Sequence, residues 1–280
     1  MDARELWTRI ETLHAVTYFA PEFRPAAADA GLKGFWMGYF GFRAAPLGPV
    51  GAGVVEATFA NFAPAMVHRA IPDAWSHASP EALIVVRAET AAASLREVVP
   101  DIDAVAAAAN PLLGRAAAAG SPLGRPLFAA NLTVGPFDDP VAQLWQWCTT
   151  LREHRGDGHV AALAAAGIDG CQAHQLLVAD HGVPPEVHFD NRGWDDDRRA
   201  ASLEVLRSRG LVDDEGLTEL GRDLRRQIEA ITDERAIEPY DAALTDEEQA
   251  LVLETLTPAA RAVQDADVLP FPNPMGLPRL

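Results

Sequence analysis

A chain of 280 residues that is 49% hydrophobic can bury a sizeable core, as one elaborate domain or as two. Its 23 basic residues against 40 acidic ones give a net charge of −17, which disfavours nucleic acid and anionic membranes as partners unless basic groups gather locally. Two cysteines, Cys148 and Cys171, exclude a disulfide framework, and no run of 18 apolar residues offers a membrane span.

Ala and Leu dominate the apolar residues, which favours helix. Met1 is followed by charged residues rather than an apolar run, so no signal peptide is expected and the expected location is the cytoplasm. Ala3 to Tyr18 reads as a helix with Leu6, Ile10, Leu13 and Thr17 on one stripe, ended by Pro21. Pro21 to Ala30 reads as a short helix closed by Gly31. The segment 34–53 then sets Phe35, Trp36, Met37, Tyr39, Phe40 and Phe42 among Gly34, Gly38 and Gly41, glycines that let a backbone or a ligand approach closely. Val54 to Ala70 reads as a largely apolar helix, kinked at Pro64, with Glu56, Thr58 and Asn61 inside it. Pro80 to Val99 and Ile102 to Ala119 read as Ala-rich helices parted by Pro100.

Glycines and prolines crowd residues 120–140, and the domain boundary is expected there: a helical domain over 1–135 and a second domain over 136–280. Asp139-Pro140 is a helix start, with Val141, Leu144, Trp145, Cys148 and Leu151 as the buried stripe. Gly156 and Gly158 are expected to stop that helix within the polar run His154-Arg155-Gly156-Asp157-Gly158-His159. His159 to Ala166, Gly167, and a helix capped by Asp169 and running to His181 before Gly182 then form a helix-turn-helix. After the break at Pro184 and Pro185, a helix over Asp195–Arg209 leads to Leu211-Val212 and Leu217-Thr218, which flank Asp213-Asp214-Glu215-Gly216 as a small hairpin. Thr218 caps a long helix, Thr245 and Glu248 make a capping box for the last one, and four prolines predict an extended tail over 269–280.

The run RSRGLVDDEGLTELG (207–221) resembles the wing and flanking helices of MarR-type winged-helix proteins. The strings GFWMGYFGFRAAPLGPVG (34–51), FANFAPAMV (59–67), LREHRGDGHVAAL (151–163) and LPFPNPMGLP (269–278) resemble an actinobacterial helix-turn-helix-fold family over essentially the whole chain. The resemblance implies a mainly α protein, a helical N-terminal domain followed by a C-terminal winged helix-turn-helix with a small β-hairpin wing. It implies no reaction.

Three readings of function follow. The first is a MarR-like DNA-binding regulator, against which stand a stretch from Gly158 to Gly182 without Arg or Lys and a wing tip of three acids. The second is a small-molecule binder or an enzyme. Its candidate ligand-binding residues are Trp36, Tyr39, Phe40, Arg43, Glu56, Asn61 and Arg155, with Arg43 expected to pair with Glu56. Its candidate catalytic residues are His154, Asp157 and His159, an acid beside two imidazoles that would have to converge through the glycine turn. Helix capping by Asp157 and a structural ion pair at Arg155 are the alternatives. The cofactor stays open: Cys171, His174 and His181 share a helix face that could edge a haem or a metal ion, but no zinc spacing is present. The third is a homodimer that crosses through residues 245–265 and the tail.

Overall fold

The computed structural model describes residues 2–181 and 185–280. The Gly182 closure, the break at Pro184 and the side chain of His181 lie outside the described residues. The chain is mainly helical with one two-strand sheet. Its N-terminal part comprises α1 (Ala3–Phe19), α2 (Phe23–Asp29), α3 (Gly34–Ala44), α4 (Ala52–Thr58), α5 (Pro64–Ala70), α6 (Pro80–Val98), α7 (Ile102–Ala119) and α8 (Pro126–Asn131). The rest comprises α9 (Pro140–Ala165), α10 (Gly170–His181), α11 (Pro185–Phe189), α12 (Asp196–Ser208), the antiparallel strands β1 (Val212–Asp213) and β2 (Gly216–Leu217), α13 (Glu219–Ala243) and α14 (Asp246–Asp265). Among the described residues no helix is long and apolar enough to cross a membrane.

Local signals set most helix starts. Asp2 and Asp139 accept amide hydrogens in the first turns of α1 and α9, and Thr245 and Glu248 close the capping box of α14. The aromatic, glycine-rich segment is itself a helix. A Cβ at Gly38 would lie 2.9 Å from that of Ala27, so this glycine lets α3 lie against α2.

Four expectations are corrected. The helix over Val54–Ala70 is two helices, α4 and α5, because Pro64 takes the first turn of a new helix, where its missing N–H costs nothing. Residues 59–63 leave the helix between them.

The glycines of the polar run do not stop α9, which continues for 26 residues. Each interior glycine costs about 0.5–1 kcal/mol relative to Ala, less than α9 gains by packing on α1, α6, α7, α8 and α13 at once. A Cβ at Gly158 would meet only the Arg125 guanidinium at ordinary contact distance, 3.6 Å. Gly158→Ala is therefore expected to stabilise the fold by about 0.5–1 kcal/mol, read as a higher urea midpoint with an unchanged slope.

The tail does not stay extended but folds back. Asn273 is buried, accepts from the amides of Met275 and Leu277 and donates to the Leu277 carbonyl, and Gly276 turns the chain at φ +69°. Leu269 and Leu277 join the main core.

Glu56, the fourth case, is not a buried acid. It is half-exposed and sits 2.8 Å from His68 Nε2, since α4 has a solvent face.

Three apolar clusters organise the molecule. The largest gathers α1, α6, α7, α9, α13, α14 and the tail, and so draws residues from both sides of the 135/136 division. An aromatic cluster holds α2 to α5 together. A smaller one joins the end of α9 to α10, α12, the hairpin and α13.

Candidate functional site

Where the aromatic cluster meets α9, α10 and α13, the chain leaves a cavity of about 1340 Å³. Its floor is the second half of α9, its walls are α1, residues 59–64, α10 and α13, and Pro272 to Leu277 of the tail lie along its edge. Arg43, Glu56 and Asn61 from the N-terminal part and Arg155, Asp157 and His159 from α9 all line it. Trp36, Tyr39 and Phe40 pack behind the wall: Phe62 lines the cavity, and its ring centroid lies 5.9, 5.3 and 5.0 Å from those of the three.

At the centre of the site is a buried ion network. Arg43 reaches across from α3 and donates from Nε and Nη2 to the two oxygens of Glu153, each at 2.9 Å. Its partner is thus Glu153, not Glu56. Arg43 also donates to the Tyr39 hydroxyl and lies over the Phe59 ring at 4.1 Å. Arg152 bridges Glu153 to Glu11 of α1. Burial alone would raise the Glu153 pKa, but Arg152 and Arg43 outweigh it and hold the carboxyl well below its usual range.

The polar run diverges because α9 is continuous. At about 100° per residue, His154 and His159 point some 140° apart. His154 is buried, with its ring edge-on to Phe128 at 4.7 Å, and burial reinforced by Arg125 pushes its pKa down to about 3. Asp157 Oδ2 accepts from the amides of Leu127 and Phe128, both at 2.9 Å, and so caps α8 rather than orienting a histidine. Burial pushes its pKa up to about 7 against those two bonds.

Arg155 and His159 face α1 and α13. Arg155 donates to Asp233 at 2.9 Å and lies over Trp7 at 4.8 Å. The Thr232 hydroxyl donates to the Ile228 carbonyl, so His159 Nδ1–H donates to Thr232 Oγ1 at 3.0 Å and leaves Nε2 with a lone pair. Burial lowers the His159 pKa, which keeps the ring neutral. His159 is the one of the three candidate catalytic groups with a base-like nitrogen on a cavity-lining residue. Among the described residues no three His, Cys, Asp or Glu side chains are grouped to hold a metal ion. Cys171 Sγ lies 3.9 Å from the Arg198 carbonyl on α12, while His174 Nε2 meets the Asn61 carbonyl.

α10 is a wall rather than a free helix. His174 Nε2–H and Trp194 Nε1–H both donate to the carbonyl of Asn61, at 3.2 and 3.0 Å. A Cβ at Gly170 would stand 1.9 Å from the Ala60 carbonyl oxygen. From Gly170 to Ala179 every residue is buried or half-buried. Gly170→Ala is expected to cost about 1–3 kcal/mol by forcing α10 off residues 59–63, read as a lower melting temperature.

Arg192, Arg152 and Glu153 are the site residues that sequence reasoning did not single out. The signal for Glu153 was the alternation of acid and base in Arg152-Glu153-His154-Arg155 on a helix with an apolar stripe. Arg192 sits in a short polar segment that reads as loop, and nothing local marks it.

Residues 3–270 match the model of a helix-turn-helix family. No curated protein sequence and no solved structure matches the chain. Because the family match runs over nearly the whole chain and takes in the turn between α9 and α10, the protein belongs to that helix-turn-helix family.

Proposed function

We propose that the protein binds a small molecule in the cavity between its aromatic N-terminal layer and its helix-turn-helix. The observation that carries this reading is the cavity itself: about 1340 Å³, walled by Phe59, Phe62 and Trp194 and studded with charged groups. That is larger than the few hundred Å³ a drug-sized ligand needs, and apolar walls with a few placed polar groups are the usual make-up of such sites. Native mass spectrometry of the purified protein tests it. A discrete added mass lost on denaturation is the expected result; a bare chain that also gives no thermal shift across a metabolite library counts against it.

The MarR-like regulator is the second reading, favoured by the family match and by a hairpin after α12. Two features weigh against it. α10, which would enter the groove, has no exposed face before Asp180, and the hairpin tip Asp213-Asp214-Glu215 is exposed and acidic. A recognition helix needs free side chains for base edges and cations nearby for phosphates. A mobility shift with genomic DNA fragments at low salt decides between them: a robust, saturable shift would reverse the ranking.

A further inference from the structure

We infer that the ligand is an organic anion, and that Arg192 is the residue that anchors its carboxylate or phosphate. This rests on the cavity reading above and deepens it.

The chain buries Arg87 and Arg192 without a carboxylate partner among its described residues, and the two differ in how they are satisfied. Arg87 leaves its Nε unpartnered, as Arg192 does, but donates to the Phe42 carbonyl, Asn131 Oδ1 and Gln146 Oε1 at 2.9–3.1 Å, so three acceptors replace water and its role is structural. Arg192 is 7% exposed and lines the cavity. It has one long contact, from Nη2 to the Pro274 carbonyl at 3.4 Å, and its Nε has no partner. Its guanidinium lies over the Phe62 ring at 4.4 Å, a contact that fixes its plane and leaves its donors unfilled. A buried guanidinium left this way is costly unless an acceptor arrives.

The surrounding charge has the sign an anion requires. Burial first, and then Arg43 and Arg152 acting through space, lower the Arg192 pKa. The acids within this group are Glu11 and Glu153, so three guanidiniums face two carboxylates. The other cavity arginines are each paired with an acid: Arg4 and Arg155 with Glu229 and Asp233, Arg198 with Asp169, and Arg225 with Asp180. A monoanion at Arg192 would balance the inner group and accept from the guanidinium where it faces the cavity, arginine being the side chain best suited to oxyanions. Phe62 stands beside it and Phe59 lines the same cavity, which favours an anion carried on a flat or apolar body.

The test uses the full chain, with benzoate and phenyl phosphate as anionic probes and benzamide as the neutral isostere, measured by calorimetry or ligand-observed NMR. The variants are Arg192→Gln and Arg192→Met, checked for folding by circular dichroism. Binding of an anion in preference to benzamide, weakened at least about ten-fold in both variants, is the expected result. Preference for benzoate over phenyl phosphate, or the reverse, identifies the head group. A measurement without ligand accompanies it: the urea midpoint of Arg192→Met should equal or exceed that of the parent, because the substitution removes an unsatisfied buried charge. Equal binding of benzamide, retained anion binding in the variants, or no anion binding at millimolar concentration would overturn the inference. A neutral molecule that co-purifies would remove the anion and keep the cavity reading, whereas no bound molecule and no probe binding would remove both.

Discussion

Glu153→Gln should lower the stability of the folded chain by about 3–5 kcal/mol, the cost of breaking a buried ion pair from one side. The carboxylate of Glu153 is 1% exposed and accepts from Arg43 and Arg152 together. Gln keeps the volume and one acceptor but removes the charge, and so leaves two buried guanidiniums facing only Glu11. Chemical denaturation at pH 7 checks this. If Glu153→Gln unfolds at the parental midpoint, the network does not hold α3 to α9. A double-mutant cycle of Glu153→Leu with Arg43→Met should show coupling, since the paired deletion removes both charges that need each other. The pH dependence has a definite sign. The folded pKa of Glu153 is depressed, so its contribution is complete above the unfolded value, about 4.3, and is lost as pH falls toward the folded value.

Acid should destabilise the protein before ordinary carboxylates begin to protonate, through its buried histidines. His154 and His174 both have pKa values pushed down to about 3, by burial first and by neighbouring arginines second. His14, held between Thr149 and Tyr18, is pushed well down by burial and by Arg152. The unfolded chain takes up these protons below about pH 6.5 while the folded chain refuses them. Each such group therefore removes about 1.4 kcal/mol per pH unit from 6.5 down to its folded pKa. Asp157 acts with the opposite sign. Its pKa of about 7 means that protonation stabilises the folded form as pH falls from 7 towards 4. At pH 4.5 Asp157 returns about 3 kcal/mol, while His154 and His174 together take about 5 before His14 is counted. The histidines win, and urea midpoints should drop between pH 7 and 4.5. Removing the titrating ring with His154→Gln should flatten that slope. A midpoint that is unchanged or rises on acidification would show that these rings are not held neutral.

Helix starts announce themselves in the sequence because their chemistry is local. Asp139-Pro140 and the Thr245–Glu248 box lie within one turn of the amides they cap, and so do the residues that read them. The hairpin at Asp213–Gly216 belongs to the same class. The site is harder to read, because its pairings join distant positions. Arg43 finds Glu153 110 residues away, whereas Glu56, its near neighbour in sequence, turns to solvent and His68. Gly156 and Gly158 look like a helix stop when judged by propensity alone, and the packing of α9 on five helices overrides them. The buried placement of Asp157 beside α8 explains why an acid stands between those glycines. Arg43, Asn61, Arg155 and His159 line one space, but the residue with the least satisfied charge there, Arg192, carries no local mark at all.

The shared carbonyl of Asn61 has a thermodynamic consequence. It holds α10 through His174 and the start of α12 through Trp194, while the adjoining Phe62 forms the cavity wall. The docking of the helix-turn-helix and the shape of the cavity are therefore coupled. A molecule that fills the space tightens the docking, and whatever draws α10 outward loosens the grip on that molecule by the same factor, because the two equilibria share a single coupling free energy.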